Sequence, residues 1–132
     1  MSNNTVRSDN VIQLNENSRI PIYQQVFDGL VQLIIMKVLS EGEQLPSVRE
    51  LALMLKINPN TIQKAYKALE NDGFIVSIKG KGNFVSHYDE IVSRYKSDIE
   101  ERLEIVLKDL ITFGETKESI IQHVSETLEG LV

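Results

Sequence analysis

Two helix-start signals stand eleven residues apart near the middle of the chain, which leaves room between them for one short helix and a tight turn. The first, Ser47-Val48-Arg49-Glu50, is a capping box: the serine hydroxyl can accept from the amide three residues on, and the glutamate can reach back to the serine amide. The second is Asn58-Pro59, with asparagine as N-cap and proline at the first helical position, where its fixed φ fits. Between them Val48, Leu51, Ala52 and Leu55 supply an apolar face, and Lys56-Ile57 forms the turn. The helix begun at Asn58 buries Ile62, Ala65, Tyr66 and Leu69 and closes at Asn71-Asp72-Gly73, where the glycine suits a left-handed cap.

The flanks extend this pattern in both directions. Upstream, Tyr23, Val26, Phe27, Leu30, Val31, Ile34 and Val38 recur at spacings of three and four, which predicts a helix from about 21 to 39 that opens at Pro21 and is broken by Ser40-Glu41-Gly42-Glu43. Val11-Ile12-Gln13-Leu14 reads as a short strand or an extended lead-in, and residues 1–10 as a flexible polar N-terminus. Downstream, Phe74-Ile75-Val76-Ser77-Ile78 reads as a strand, Lys79-Gly80-Lys81-Gly82 as a turn and Asn83-Phe84-Val85 as the return strand. Beyond Val85, Ile91, Val92, Tyr95, Ile99, Leu103, Val106, Leu110 and Ile111 form a helical stripe over about 88–112. Gly114 interrupts it, and Thr116 caps a last helix with Ile120, Ile121, Val124 and Leu128 on its apolar face. The predicted fold class is mostly α with a small β-hairpin (α+β): a winged helix-turn-helix over 11–86, followed by a two-helix C-terminal dimerisation tail over 87–132.

Charge is divided along the chain. The net charge is −5, yet residues 46–85 carry six basic and three acidic side chains, while residues 86–132 carry five basic and eleven acidic ones. Charges beyond a Debye length of ~8 Å are largely screened, so a basic middle segment is compatible with DNA even beside an acidic tail. The absence of cysteine excludes disulfides and thiolate metal sites. Met1-Ser2-Asn3-Asn4-Thr5 lacks the basic and apolar regions of a signal peptide, and the apolar stretch Leu30 to Leu39 is interrupted by Gln32 and Lys37. That stretch is far short of the ~20 residues a membrane helix needs, so the expected location is the cytoplasm, with no membrane partner.

Two short helices joined by a tight turn, then a basic-tipped hairpin, is the order of elements in a winged helix-turn-helix, whose second helix enters the major groove while the wing reaches phosphates or the neighbouring minor groove. With the buried stripe subtracted, the helix begun at Asn58 offers Asn60, Thr61, Gln63, Lys64 and Lys67, mostly near its N-terminal end. Asparagine and glutamine can pair with adenine, and lysine with guanine or phosphate, although a solvated helix face contains the same residue types. Arg49 sits in the first turn of its helix, where the dipole disfavours a cation, which suits an arginine aimed at an external anion; pairing with Glu50 or a later carboxylate is the alternative. The candidate DNA-binding residues are Ser47, Arg49, Asn58, Asn60, Thr61, Gln63, Lys64, Lys79, Gly80 and Lys81. No catalytic residues, metal site or cofactor are expected: His87 and His123 have no nucleophile or clear acid–base partner nearby in sequence, and pairing them with Asp89, Glu90 or Glu126 gives only loosely spaced metal ligands.

Leu45-Pro46-Ser47-Val48-Arg49-Glu50-Leu51-Ala52, Asn58-Pro59-Asn60-Thr61-Ile62, Ala65-Tyr66, Leu69-Glu70, Gly73 and Gly80-Lys81-Gly82-Asn83-Phe84-Val85 resemble the DNA-binding domain of the GntR family of bacterial regulators, as does Pro21-Ile22-Tyr23-Gln24-Gln25 in the opening helix. The Asn-Pro-Asn-Thr run and short tail are similar to the YtrA-like subfamily. The resemblance covers about residues 12–86 and implies that Arg49, the N-terminal residues of the third helix and Gly80 contact a double-stranded DNA operator. It also implies targets that include the chain's own operon and transporter genes, and the expected mode of action is repression by occupying promoter DNA. Many family members have arginine where Pro59 and Gln63 stand, so base readout by those arginines does not transfer; arginine is also common where Lys79 stands.

The tail of residues 86–132 is too short for the larger effector-binding domains of other branches of the family. Two amphipathic helices have too little surface to bury their apolar faces alone, and a two-fold homodimer solves this. Its expected contact residues are Ile91, Val92, Tyr95, Ile99, Leu103, Val106, Leu110, Ile120, Val124 and Leu128, with folding back onto the winged helix as the alternative. The residues encode neither the operator nor the identity of any small-molecule effector. The competing functional reading is a winged-helix protein-interaction adaptor without sequence-specific DNA binding.

Overall fold

The computed structural model, which describes residues 12–132, carries among those residues α1 (Ile22–Ile35), α2 (Val48–Leu55), α3 (Pro59–Asn71), β1 (Ile75–Ile78), β2 (Gly82–Val85), α4 (Tyr88–Thr112) and α5 (Lys117–Leu131). The expectations for residues 1–10 and for Val11 lie outside the described residues. Ile12, Gln13 and Leu14 form no strand. Ile12 lies so close to α1 that a Cβ on Gly29 would come within 2.6 Å of its side chain. The Gln25 side chain fastens the segment further, accepting from the Asn15 amide at 2.8 Å and donating to the carbonyls of Asn15 and Ile20 at 2.9 and 2.8 Å.

Helix α1 is shorter than its apolar spacing predicts. It stops at Ile35, because Lys37 adopts φ +61° and the chain folds back: the Lys37 amide donates to Ile34 and the Val38 amide to Leu33. This is a Schellman closure with lysine in the left-handed position usually held by glycine. Val38 is consequently exposed, and Leu39 takes the buried place instead. The ends of α3 at Gly73 and of α4 at Gly114 close with the same hydrogen-bond pattern on glycines.

The chain divides into two compact units between Val92 and Ser93. In the first, α3 packs against α1, α2 and β1. The core is built from Val26, Leu30, Val31 and Ile34 of α1, Leu51 and Ala52 of α2, and Ile62, Ala65, Tyr66 and Leu69 of α3. Leu39, Leu45, Phe74, Ile75 and Val85 close it, with Phe27 edge-on to Phe74 at 6.0 Å. Each fully buried aliphatic side chain contributes roughly 1.5–3 kcal/mol. Strands β1 and β2 pair antiparallel from Ile75↔Val85 to Ile78↔Gly82. A third segment pairs with β2: Leu45 donates to Asn83, Val85 to Glu43 and Gly42 to Val85, around a bridge between Gln44 and Phe84.

The first turn of α4 belongs to this unit. Ile91 is only 2% exposed, within the core. Tyr88 donates its amide to Glu41 at 2.6 Å and its hydroxyl to the Ile35 carbonyl at 3.0 Å, and its ring lies beneath the Lys37 ammonium at 4.3 Å. Glu41 thus caps α4 from a distant loop, a favourable place for a carboxylate at a helix N-terminus. The second unit contains the rest of α4 together with α5, which opens with a capping box between Thr116 and Ser119. None of its residues is buried.

Candidate nucleic-acid interface

The start of α2 forms as its sequence requires. The Glu50 amide donates to the Ser47 hydroxyl at 3.1 Å, and the Ser47 amide donates to the Glu50 carboxylate at 2.9 Å. Hydrogen bonding to the carboxylate by the Ser47 backbone amide first, and by the Ser47 side chain second, holds the Glu50 carboxyl below its ordinary value. With Glu50 engaged at Ser47, the expected alternative of an Arg49–Glu50 pair is not formed; among the described residues no carboxylate lies within ion-pair distance of the exposed Arg49.

The turn into α3 reverses on Lys56, at φ +58°, with the Ile57 amide donating to Ala52. Asn58 then caps α3 by accepting from the Asn60 amide at 2.8 Å, which leaves its side-chain NH₂ free to donate outward. Asn60, Gln63, Lys64 and Lys67 are exposed and Thr61 is half-buried. Lys64 lies over the Tyr23 ring, with its Nζ 3.9 Å from the ring centroid. The angle between α2 and α3 is fixed from within: the buried Tyr66 hydroxyl donates to the Pro46 carbonyl at 2.7 Å, at the entrance to α2. Burial, and then the Glu50 charge, push the Tyr66 phenol above its ordinary value, so it remains a donor. The sequence marked Tyr66 as an apolar stripe residue and gave no sign of this bond, whose acceptor is a backbone carbonyl twenty positions away.

At the wing tip, Lys79, Gly80 and Lys81 are exposed and the Lys81 amide donates to Ile78 at 2.9 Å. The two glycines there do different work. Gly80, at φ +77°, has open space where a Cβ would stand, whereas a Cβ on Gly82, at φ +125°, would come 2.7 Å from the Gln44 amide nitrogen. That nitrogen donates to the Lys81 carbonyl at 2.8 Å, so Gln44 braces the wing turn from the third strand segment. Gln44 is a positioning residue that the sequence did not single out. All six basic side chains of residues 46–85 (Arg49, Lys56, Lys64, Lys67, Lys79 and Lys81) are exposed.

The tail residues fall into three groups. Ile99, Leu103, Val106, Val124 and Leu128 are exposed; Val92, Tyr95, Leu110 and Ile120 are half-buried. Ile91 corrects the expectation of a contact residue: its side chain is spent in the winged-helix core and is not available to a partner. His87 sits 3.6 Å from Glu41, His123 lies on α5, and among the described residues no three His, Asp or Glu side chains gather as metal ligands do. No described helix is long and apolar enough to cross a membrane.

Comparison with known proteins agrees with this geometry. The profile of the bacterial regulatory proteins, gntR family, matches residues 22–85. The HTH-type transcriptional repressor YtrA of Bacillus subtilis is 34% identical over 118 residues, which cover 88% of this chain and 91% of YtrA. A transcriptional regulator from Oenococcus oeni superposes with a TM-score of 0.70 at 37% identity, covering 87% of this chain and 97% of that one. The DNA-binding domain of AraR, solved in complex with operator ORE1, superposes with a TM-score of 0.50 at 27% identity over 56% of this chain and 90% of that one. These similarities support a DNA-binding regulator of transcription and not the adaptor alternative.

Proposed function

Since the chain belongs to the GntR family of bacterial regulatory proteins, we propose that it represses transcription as a homodimer that seats one α3 in each half of a two-fold symmetric operator. The observation that carries this reading is the capped α2–turn–α3 pair, which leaves Arg49, Asn60, Gln63 and Lys64 exposed on a rigid support while the apolar faces of the same helices are consumed by the core. Arg49 and the Lys79-Gly80-Lys81 tip supply phosphate contacts; Asn60, Thr61 and Gln63 read bases. The dimer is supported by the second unit, where α4 and α5 together leave Ile99, Leu103, Val106, Val124 and Leu128 uncovered. Apolar rows of this kind at helical spacing mark an interaction surface. Targets that include the chain's own operon and transporter genes follow from its likeness to YtrA-like regulators, and occupancy of promoter DNA is the proposed mode of repression.

Footprinting the region upstream of the chain's own gene tests the proposal. Two protected half-sites related by a dyad and spaced by turns of the duplex are expected, with affinity falling by a log–log slope of about −0.9 for each phosphate contacted as salt rises. An unprotected region together with a flat salt dependence would remove the repressor reading.

A further inference from the structure

Lys64 is the one candidate DNA-contact side chain held by an aromatic ring. Its ammonium stands 3.9 Å from the centroid of the Tyr23 ring, which projects from the first turn of α1, and among the described residues no carboxylate lies within ion-pair distance of it. Lysine ordinarily ranges over many rotamers and loses that freedom on binding. A ring face under the ammonium confines the charge to one place without neutralising it, which a carboxylate would not do. Lys64 also lies one helical turn from Asn60 on the same face of α3, so the confined charge is set at a fixed offset from the N-terminal polar residues of that helix. Tyr23 falls on the apolar stripe of α1 in the sequence, yet it is only half-buried, and its ring is committed to Lys64.

We propose that Tyr23 is a positioning residue for DNA recognition: it holds the Lys64 ammonium where a phosphate or guanine edge meets α3, so that α1 contributes to the interface through α3. This inference rests on the DNA-binding reading above. Without the ring, Lys64 pays its ordering cost on binding, a drop in affinity of about threefold per protomer.

The test is a double-mutant cycle on a duplex enriched from a randomised pool by the wild-type full-length chain. Y23L and K64A each weaken binding and flatten the salt slope, and Y23L adds nothing once Lys64 is already alanine. Y23F, which keeps the ring face, restores wild-type affinity. Equal damage by Y23L in both backgrounds, or a Y23F variant as weak as Y23L, would overturn the proposal. A readout independent of the folding of Y23L is the Lys64 ε-methylene resonance in the free wild-type protein: ring currents should move it upfield, and an unshifted signal also overturns the assignment. The R49A variant separates the two readings, because it should bind weakly whatever Tyr23 does. A wild-type chain that enriches no duplex would sink the DNA reading, and this inference with it.

Discussion

Glu50 commits its carboxylate to the backbone of Ser47, and that single choice both starts α2 and leaves Arg49 without a local partner. The sign of its pH dependence follows. A carboxyl whose folded value is lowered contributes stability above its unfolded value, and that contribution is lost as pH falls through the folded value. Replacing Ser47 by alanine should cost about 1 kcal/mol near neutral pH through the lost hydroxyl, while leaving the backbone amide that Glu50 accepts from. Glu50→Ala removes the carboxylate itself, so in paired thermal melts the difference between wild type and E50A should shrink as the buffer is taken below the ordinary carboxylate range; a constant difference would show that the charge adds nothing to the cap. The wing glycines make a second contrast at this scale. Both have positive φ, but only Gly82 also faces Gln44. Gly82→Ala adds backbone strain and displaces the Gln44–Lys81 hydrogen bond, for about 1–3 kcal/mol, whereas Gly80→Ala carries about 1 kcal/mol of strain alone. Urea denaturation of the two variants should rank them in that order.

At the scale of elements, chain reversals are legible where a glycine or the cap of a following helix marks them, as at Gly73, Gly114 and Lys56, and hidden at Lys37, where neither stands. Gly73 marks the end of α3 and Gly114 the end of α4 in the sequence, because glycine enters the left-handed region freely. Lys37 ends α1 in the same conformation with no such signature, so the apolar spacing that continues to Val38 suggests a longer helix than the one that forms. Tertiary contacts supply what local preference lacks, since the Lys37 ammonium rests on the Tyr88 ring. The third wing segment is hidden for a different reason. It is a single bridge at Gln44, followed at once by Pro46, with no alternating run to announce it. The Ser47 capping box and the Asn58-Pro59 helix start, by contrast, are purely local and readable residue by residue, and with them comes the placement of α2 and α3. The αL lysine in the turn between those helices offers a direct check. Lys56→Gly relieves strain at φ +58° and should stabilise the fold by about 0.5–1 kcal/mol, read as a raised Tm. A lowered Tm would mean that the Lys56 side chain itself secures the turn.

For the whole molecule, the partition of buried surface separates folding from assembly. Every buried side chain among the described residues lies at or before Ile91, so the first unit carries the cooperative core and the second carries apolar surface with nothing of its own to cover it. Substitutions in these two places should therefore fail in different ways. A Leu103→Asp, Val124→Asp double variant alters two side chains that are 52% and 41% exposed in the single chain, so the winged-helix core is untouched and its melting transition should persist. Sedimentation velocity should find it monomeric and the wild type dimeric. Its operator affinity should drop by a factor on the order of 10²–10⁴, because the second reading head no longer binds at the high effective concentration that linkage provides. The half-site preference carried by α3 should survive that loss, since the helix and its supports are intact. A variant that stays dimeric would place the interface elsewhere on the chain. One that becomes monomeric while keeping full operator affinity would show that a single winged helix suffices, and the requirement for operator symmetry would fall.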